Sequence, residues 1–289
     1  MDIVRIFNGL GNQMSQYAFY YAKKRKHPFS TFFITNRYSS ENVHNGYELE
    51  RLFGIKSSKL KERVLYHLYE SMFSPLFGYR ILNHLTSEIR ESQNYDFDNN
   101  LLKLSQKSLF NFFWGGWHSE KYFTKYKEVL KTKVFHFNES MLNKSSMKWK
   151  KEIDMDKYSC SLHIRRGDFL KDRKWADAIT PDYYENAISY MREKVGRAIS
   201  FYVFSNDIEW CKQKFGIDGF KYINCNQGTD AWQDMYLMTR CRNHINANSS
   251  FSWWGAWLSH FENGCTICPM AFISTMNTKD IYPEEWIKI

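Results

Sequence analysis

The sequence predicts an α/β protein with parallel sheets, and three observations carry that expectation. In residues 158–289 short apolar stretches alternate with helical ones of about ten residues, the rhythm of βαβ units. The N-terminus opens in the same way, with a strand, a Gly-containing turn and an amphipathic helix. The 289 residues are 43% hydrophobic and 25% charged, which is enough chain for two packed cores.

Ile3 to Phe7 reads as the first strand. Met14, Tyr17, Ala18, Tyr21 and Ala22 follow at helical spacing and define one apolar face. Residues 36–100 are less regular, with a helical stretch from Leu60 to Met72 among Ser- and Asn-rich turns. Lys121 to Lys133 reads as a basic helix, and the polar residues 138–157 as a link between halves. The expected domains are therefore 1–150 and 151–289. In the second half the strands are Tyr158 to Ile164, Ile199 to Ser205, Phe220 to Asn224, His244 to Asn248 and Cys265 to Cys268. Helices are expected at Pro181 to Lys194 (capped by Thr180), Asp207 to Phe215, Thr229 to Cys241 and Ser250 to Phe261.

Composition narrows the class. With 14 Gly and 5 Pro, the chain is neither collagen-like nor low-complexity. No apolar run approaches the ~20 residues that span a bilayer. Met1 leads straight into a strand pattern without a signal-peptide region, so a soluble cytoplasmic protein is expected. The six cysteines do not form a disulfide scaffold. Cys265-Thr-Ile-Cys268 has ligand-like spacing without a second pair; it reads as a buried strand, with a metal or redox site as the alternative. The net charge of +9 is uneven: residues 1–150 hold 23 Lys+Arg against 13 Asp+Glu, and residues 151–289 hold 17 against 18. A positive first half attracts an anionic partner, such as nucleic acid, acidic lipid or a phosphorylated substrate. It is equally a soluble basic surface.

Three stretches carry chemistry. Asn8-Gly9-Leu-Gly11-Asn12-Gln13 joins a strand to a helix, where glycines permit close approach and a helix amino terminus favours an anion. It lacks the third glycine of a dinucleotide fingerprint and has no P-loop lysine, so a tight turn explains it equally well. His163-Ile-Arg165-Arg166-Gly-Asp168 ends a strand. Paired guanidiniums there fit a phosphate or pyrophosphate, and a structural ion-pair cluster is the competing reading. In Asn246-Ala-Asn248-Ser249-Ser250-Phe251-Ser-Trp-Trp the hydroxyls cap a helix and can meet phosphate oxygens; capping alone also accounts for them. Asp234, upstream, suits the two N–H donors of a guanine edge.

Together these stretches resemble the bacterial α-1,2-fucosyltransferase family, glycosyltransferase family 11. Four blocks correspond in order: Gly9 to Ala18, Ser119 to Phe123, His163 to Asp168 and Asn246 to Leu258. The resemblance implies a GT-B fold, two Rossmann-like domains facing across a cleft, with the acceptor on the N-terminal side and GDP-fucose on the C-terminal side. It implies that Arg165 holds the β-phosphate with Arg166 and His163 in support. Asn248, Ser249, Ser250 and Phe251 would border phosphates and nucleoside, and Asp234 would meet guanine. Gly11 and Asn12 would face fucose or acceptor, and Ser205 and Asn206 would point into the cleft. The base for the acceptor hydroxyl would be Asp168, then Glu120, or no side chain but the departing phosphate. The chain departs from the family pattern at Ser15 (usually Phe), at Trp117-His118 (usually Tyr or Phe, then Gln) and at Trp175-Ala-Asp-Ala-Ile.

The implied reaction is inverting transfer of L-fucose to the 2-hydroxyl of a terminal β-galactoside, in O-antigen- or capsule-type glycan synthesis. A second reading keeps GDP-fucose but changes the linkage or acceptor. No cofactor is expected. The strings Asp96-Phe-Asp98 and Asp154-Met-Asp156 resemble metal-binding D-x-D, but neither follows a strong apolar strand. The acceptor could be lipid-linked, with peripheral contact to an anionic inner membrane surface through the basic half. A nucleic-acid-binding protein is the rival from another class, suggested by a pI of about 9.1 and many aromatics. No RRM, KH or helix-turn-helix signature supports it.

Overall fold

The chain divides into two units, Met1–Phe137 and Asn138–Ile289. The computed structural model describes residues 1–38, 44–72, 84–196, 198–261 and 263–289, except the side chains of Tyr38, Asp168 and Phe169.

In the first unit β1 (Asp2–Ile6) leads into α1 (Leu10–Lys26) and β2 (Thr31–Thr35). Then come α2 (Leu49–Phe53), α3 (Lys59–Ser71), β3 (Thr86–Arg90) and β4 (Phe110–Trp114). The four strands form one parallel sheet in the order β2-β1-β4-β3. Ile3 lies opposite Phe32 and Phe112, and Ile3, Ile34 and Phe112 meet Tyr66 and Tyr69 of α3 in a buried cluster. Met14, Ala18 and Ala22 of the expected α1 face are fully buried, and Tyr17 and Tyr21 sit at its margin.

The foot of this sheet is polar. Asp2 and Lys23, both without solvent exposure, pair at 2.7 Å, and Asn111 donates to Asp2. Burial holds the Lys23 ammonium below its usual pKa, opposed by Asp2. Removing Asp2 would leave a lone buried cation, a loss of roughly 3–5 kcal/mol.

Two expectations fail in this unit. Of its four strands only β1 is legible in the sequence. Lys121 to Lys133 is not one helix but a series of turns, Glu120–Tyr122, Thr124–Tyr126, Lys127–Val129 and a π-turn at Leu130–Val134. Tyr122 and Phe123 are both buried, and the Phe123 N–H bonds the Glu120 carbonyl in a tight three-residue turn rather than continuing an α-helix.

The second unit begins before residue 151. Its first helix, α4 (Lys144–Met155), is capped by Asn143 and packs on α7 (Trp232–Arg240). Asn143 also bonds Asn226 and, through its backbone N–H, Gln233. Those contacts place residues 138–150 here rather than in a linker. The remaining elements are β5 (Ser159–Ile164), α5 (Tyr183–Val195), β6 (Ser200–Ser205), α6 (Ile208–Phe215) and β7 (Phe220–Ile223). After α7 come β8 (Asn243–Ile245), α8 (Ser250–Trp257), β9 (Thr266–Cys268) and β10 (Ile287–Lys288).

All six strands are parallel, in the order β10-β9-β8-β5-β6-β7. β5 is buried at every residue, so it shows no alternation. α5 starts at Tyr183 rather than Pro181, with Asp182 at the cap position and no side-chain capping bond. β10 was not foreseen; two residues give no periodic signal. The pair Cys265 and Cys268 flanks and ends β9, and all six cysteines are free thiols. No helix among the described residues is long and apolar enough to cross a membrane.

Candidate active site

In parallel α/β sheets the loops beyond the carboxyl ends of the strands bind ligands, above all where strand order reverses. In the second unit that reversal is at β5. The chain runs from β5 to β6 and β7 on one side, then returns to place β8 and β9 on the other.

His163 lies near the end of β5, one step beyond the pairing of Leu162 with Ile245. The next residue of the neighbouring strand path is Asn246. Both side chains are buried, at 6% and 1% exposure. Neither His163 Nδ1 nor Asn246 Nδ2 has a hydrogen-bond partner among the described residues. An unpaired buried polar atom costs roughly 1–3 kcal/mol, so these two atoms are candidates for a hydrogen bond to a ligand. Burial, then the charge of Arg165, pushes His163 down to about 3, leaving it neutral. Its ring lies 5.9 Å from that of Phe251.

The two arginines have different surroundings. Arg166 Nε donates to Asp207 at 3.1 Å, and its guanidinium stacks 3.8 Å over Trp210. Its backbone N–H and C=O are both held by the Asn206 amide. Arg166 therefore ties β5 to β6 rather than simply supporting Arg165. Gly167 follows at φ +62°, and a Cβ there would lie 2.7 Å from Asn206 Nδ2. Ser205 Oγ accepts from the Asp207 N–H and closes the same turn.

The helix start after β8 is built as expected, with Ser249 as cap: its Oγ accepts from the Phe251 N–H. Ser250 and Phe251 are half-buried beside it. Asn248 differs from the expectation. Its amide donates to the carbonyls of Trp175 and Phe272, which makes it a positioning residue for this loop. Asp234 lies on α7, where Asn226 donates to it at 2.7 Å. Burial raises its carboxyl to about 7 against that bond. The backbone of Asp168 lies in a short turn, Gly167–Lys171, and its side chain is outside the described residues.

The first unit has its own carboxyl edge. Asn8, at φ +65°, turns the chain from β1 into α1. Gln13 bonds Asn8 and Gly46, and Gln16 accepts from Phe7 and donates to Gly115. These buried amides fix the loop that carries Gly11 and Asn12. Gly11 is buried and Asn12 half-buried.

Sequence reasoning missed Glu91 here. One carboxylate oxygen accepts from the N–H groups of Gly116 and Trp117, at 2.7 and 2.8 Å. The other is buried without a partner among the described residues, and burial raises the carboxyl to about 7. Glu91 shapes the turn after β4, where Trp117 has φ +53° and stacks on Phe19 at 4.3 Å. That turn leads to His118 and Glu120; Glu120 is half-buried at the start of its short turn. An acid directly after a strand was the available signal, and it was lost because β3 itself was not read.

The family model for Glycosyl transferase family 11 matches residues 3–289. The chain belongs to this family. It is 33% identical to an alpha-1,2-colitosyltransferase of Escherichia coli, covering 99% of this chain and 98% of that one. It is 30% identical to the O-antigen biosynthesis glycosyltransferase WbnK of the same organism, covering 97% and 98%. Human galactoside alpha-(1,2)-fucosyltransferase 1 is 26% identical over a shorter stretch, 44% of this chain and 37% of that one. The fold matches the fucosyltransferase NodZ from Bradyrhizobium, with TM-score 0.52 at 11% identity, covering 88% of this chain and 91% of that one. This family 11 chain is thus a glycosyltransferase, with the paired α/β units of the GT-B type.

Proposed function

We propose that the protein transfers L-fucose from GDP-fucose, with inversion, to the 2-hydroxyl of a terminal β-galactoside during O-antigen- or capsule-type glycan synthesis. The observation that carries this reading is Arg165 at the reversal point of the sheet, beside the incompletely bonded His163 and Asn246 and the Ser249–Phe251 helix start. Charge grows on the departing diphosphate in an oxocarbenium-like displacement, and a guanidinium fixed there stabilises it without reorganising. Arg166, already held by Asp207 and Trp210, keeps the Arg165 loop in place. Asp234 supplies a carboxylate for the guanine edge.

The acceptor hydroxyl gives its proton to Asp168, to Glu120 or to the leaving phosphate. Glu91 acts through the turn that leads to Glu120 and is a positioning residue in this reading. Metal independence is part of the proposal. Asp154 pairs with Lys150 and Arg240, Asp156 accepts from Tyr202, and Asp98 caps a short helix. Three of the four carboxylates in the D-x-D strings thus have structural work in the folded chain.

A colitosyl donor is the second reading, favoured by the 33% identical relative. Incubation with GDP-fucose or a colitosyl donor, over a panel of terminal β-galactosides, tests both. A 2-linked fucosylated product that survives EDTA supports the proposal. A product from the colitosyl donor alone moves the assignment to that sugar, and another linkage overturns the acceptor position.

A further inference from the structure

Part of the positive excess of the first half lies in two stretches that meet over β2. α1 ends in Lys24, Arg25 and Lys26, and the stretch into α3 carries Lys56, Lys59, Lys61 and Arg63. Residues 20–31 and 54–67 contain a single carboxylate, Glu62. It is turned inward, where it accepts from Thr35 and Ser57. The two stretches meet over one ring of β2: the ammonium groups of Lys24 and Lys61 lie 4.9 and 5.6 Å from the centroid of Phe32. Burial, then the charge of Lys61, lowers the pKa of Lys24.

Large apolar side chains stand among these cations. Phe29, in the turn between α1 and β2, is 91% exposed, and Leu60 and Val64, one turn apart on α3, are 77% and 61% exposed. Charges at a helix carboxyl end complement its dipole, which accounts for part of the run at Lys24 to Lys26. It accounts for neither the cations at the amino-terminal half of α3 nor the exposed phenyl ring. Two basic stretches with no exposed acid of their own, studded with apolar side chains, match an interface with negative headgroups above an acyl layer. Nucleic acid would use the cations but gives two aliphatic side chains no role.

We infer that this face, Lys24 to Phe29 together with Lys59 to Val64, docks the protein on an anionic lipid bilayer. The cations hold headgroups while Phe29, Leu60 and Val64 enter the interface. Such docking is independent of the sugar transferred.

Flotation of the full chain tests this with vesicles of phosphatidylcholine alone and of equimolar phosphatidylcholine and phosphatidylglycerol. The expected result is recovery with the anionic vesicles at low salt, weakening as salt rises. Lys61→Gln and Arg63→Gln should each weaken vesicle binding roughly fivefold. Phe29→Ser with Leu60→Ser should weaken it by about tenfold while the charge is kept. Unaltered thermal melts would confirm that these surface variants fold. Three outcomes overturn the inference: equal recovery on neutral vesicles, undiminished flotation of both variant sets, or a short RNA that binds through the same lysines and strips the protein from vesicles.

Discussion

His118 Nδ1 lies 3.1 Å from the hydroxyl of Ser15, both side chains buried at the carboxyl edge of the first sheet. These are two of the positions at which the sequence reading expects a departure from the family blocks, and the fold brings them into contact. Ser15 is 1% exposed, so a phenylalanine there would need the space the imidazole fills. Ser15→Phe alone should therefore destabilise by about 1–3 kcal/mol through overpacking. Adding His118→Gln should restore part of that loss. Chemical denaturation of the two single variants and the double variant measures the coupling, and simple additivity would disprove it.

Glu91 gives a prediction with a sign. Burial raises its carboxyl to about 7, so the folded chain keeps a proton that the unfolded chain releases near its ordinary value. Folding thus carries a penalty that grows between about pH 4.5 and 7 and is constant above. Glu91→Gln keeps an oxygen for the Gly116 and Trp117 N–H groups. It should match the parent at pH 5 and be more stable at pH 8, by on the order of 2 kcal/mol. Transfer should respond differently: at pH 8 the variant should show a raised KM for acceptor and an unchanged KM for donor.

The arginines should separate in kinetics. Arg165→Ala should lose about 3 kcal/mol or more in kcat/KM while melting near the parent's temperature. Arg166→Ala breaks the Asp207 bond and the Trp210 stack, so it should lower the melting temperature as well as activity. A fully stable Arg166→Ala protein would contradict its assignment as the tie between β5 and β6.

In the proposed reading Asp234 accepts both N–H donors of guanine as a carboxylate, and burial raises its carboxyl to about 7. GDP affinity should therefore fall by up to about tenfold per pH unit below 7, and level off above. Calorimetric titration at pH 5.5, 6.5 and 8 reads this directly (pH values chosen to span about 7). Asp234→Asn should bind weakly and without that dependence.

The buried histidines act at the acid end. His118 and His163 are held at about 4 and about 3 by burial. Below about pH 6.5 the unfolded chain takes up protons that the folded chain refuses, so each withdraws roughly 2 kcal/mol by pH 5. Glu91 and Asp234 act in the opposite direction over the same range, so the parent's curve conceals the effect. The difference between His118→Gln and the parent exposes it: the variant should gain relative stability as pH falls from 7 to 5.

The second unit was legible because its strands and helices alternate at distinct periods, and because Arg165, Ser249 and Asp234 bring chemistry to the ends of those elements. The first unit was legible at β1, at α1 and at the helical stretch from Leu60 to Met72, which is α3. Thr31–Thr35 and Phe110–Trp114 are five-residue strands buried in a parallel sheet, and such strands carry no alternation for a sequence pattern to detect. Without β3 and β4, Glu91 had no strand end to mark it.

The sequence by itself determined the α/β class, the family blocks and the residue types available to hold a nucleotide sugar, since these depend on local periodicity and composition. Only the tertiary structure decided which of those residues are engaged in holding the scaffold. Arg166 is taken by Asp207 and Trp210, Asn248 by two carbonyls, and Glu91 by a distant turn. A hydrogen bond between residues far apart in the chain leaves no trace in local spacing, yet it fixes where a charge stands and whether it ionises.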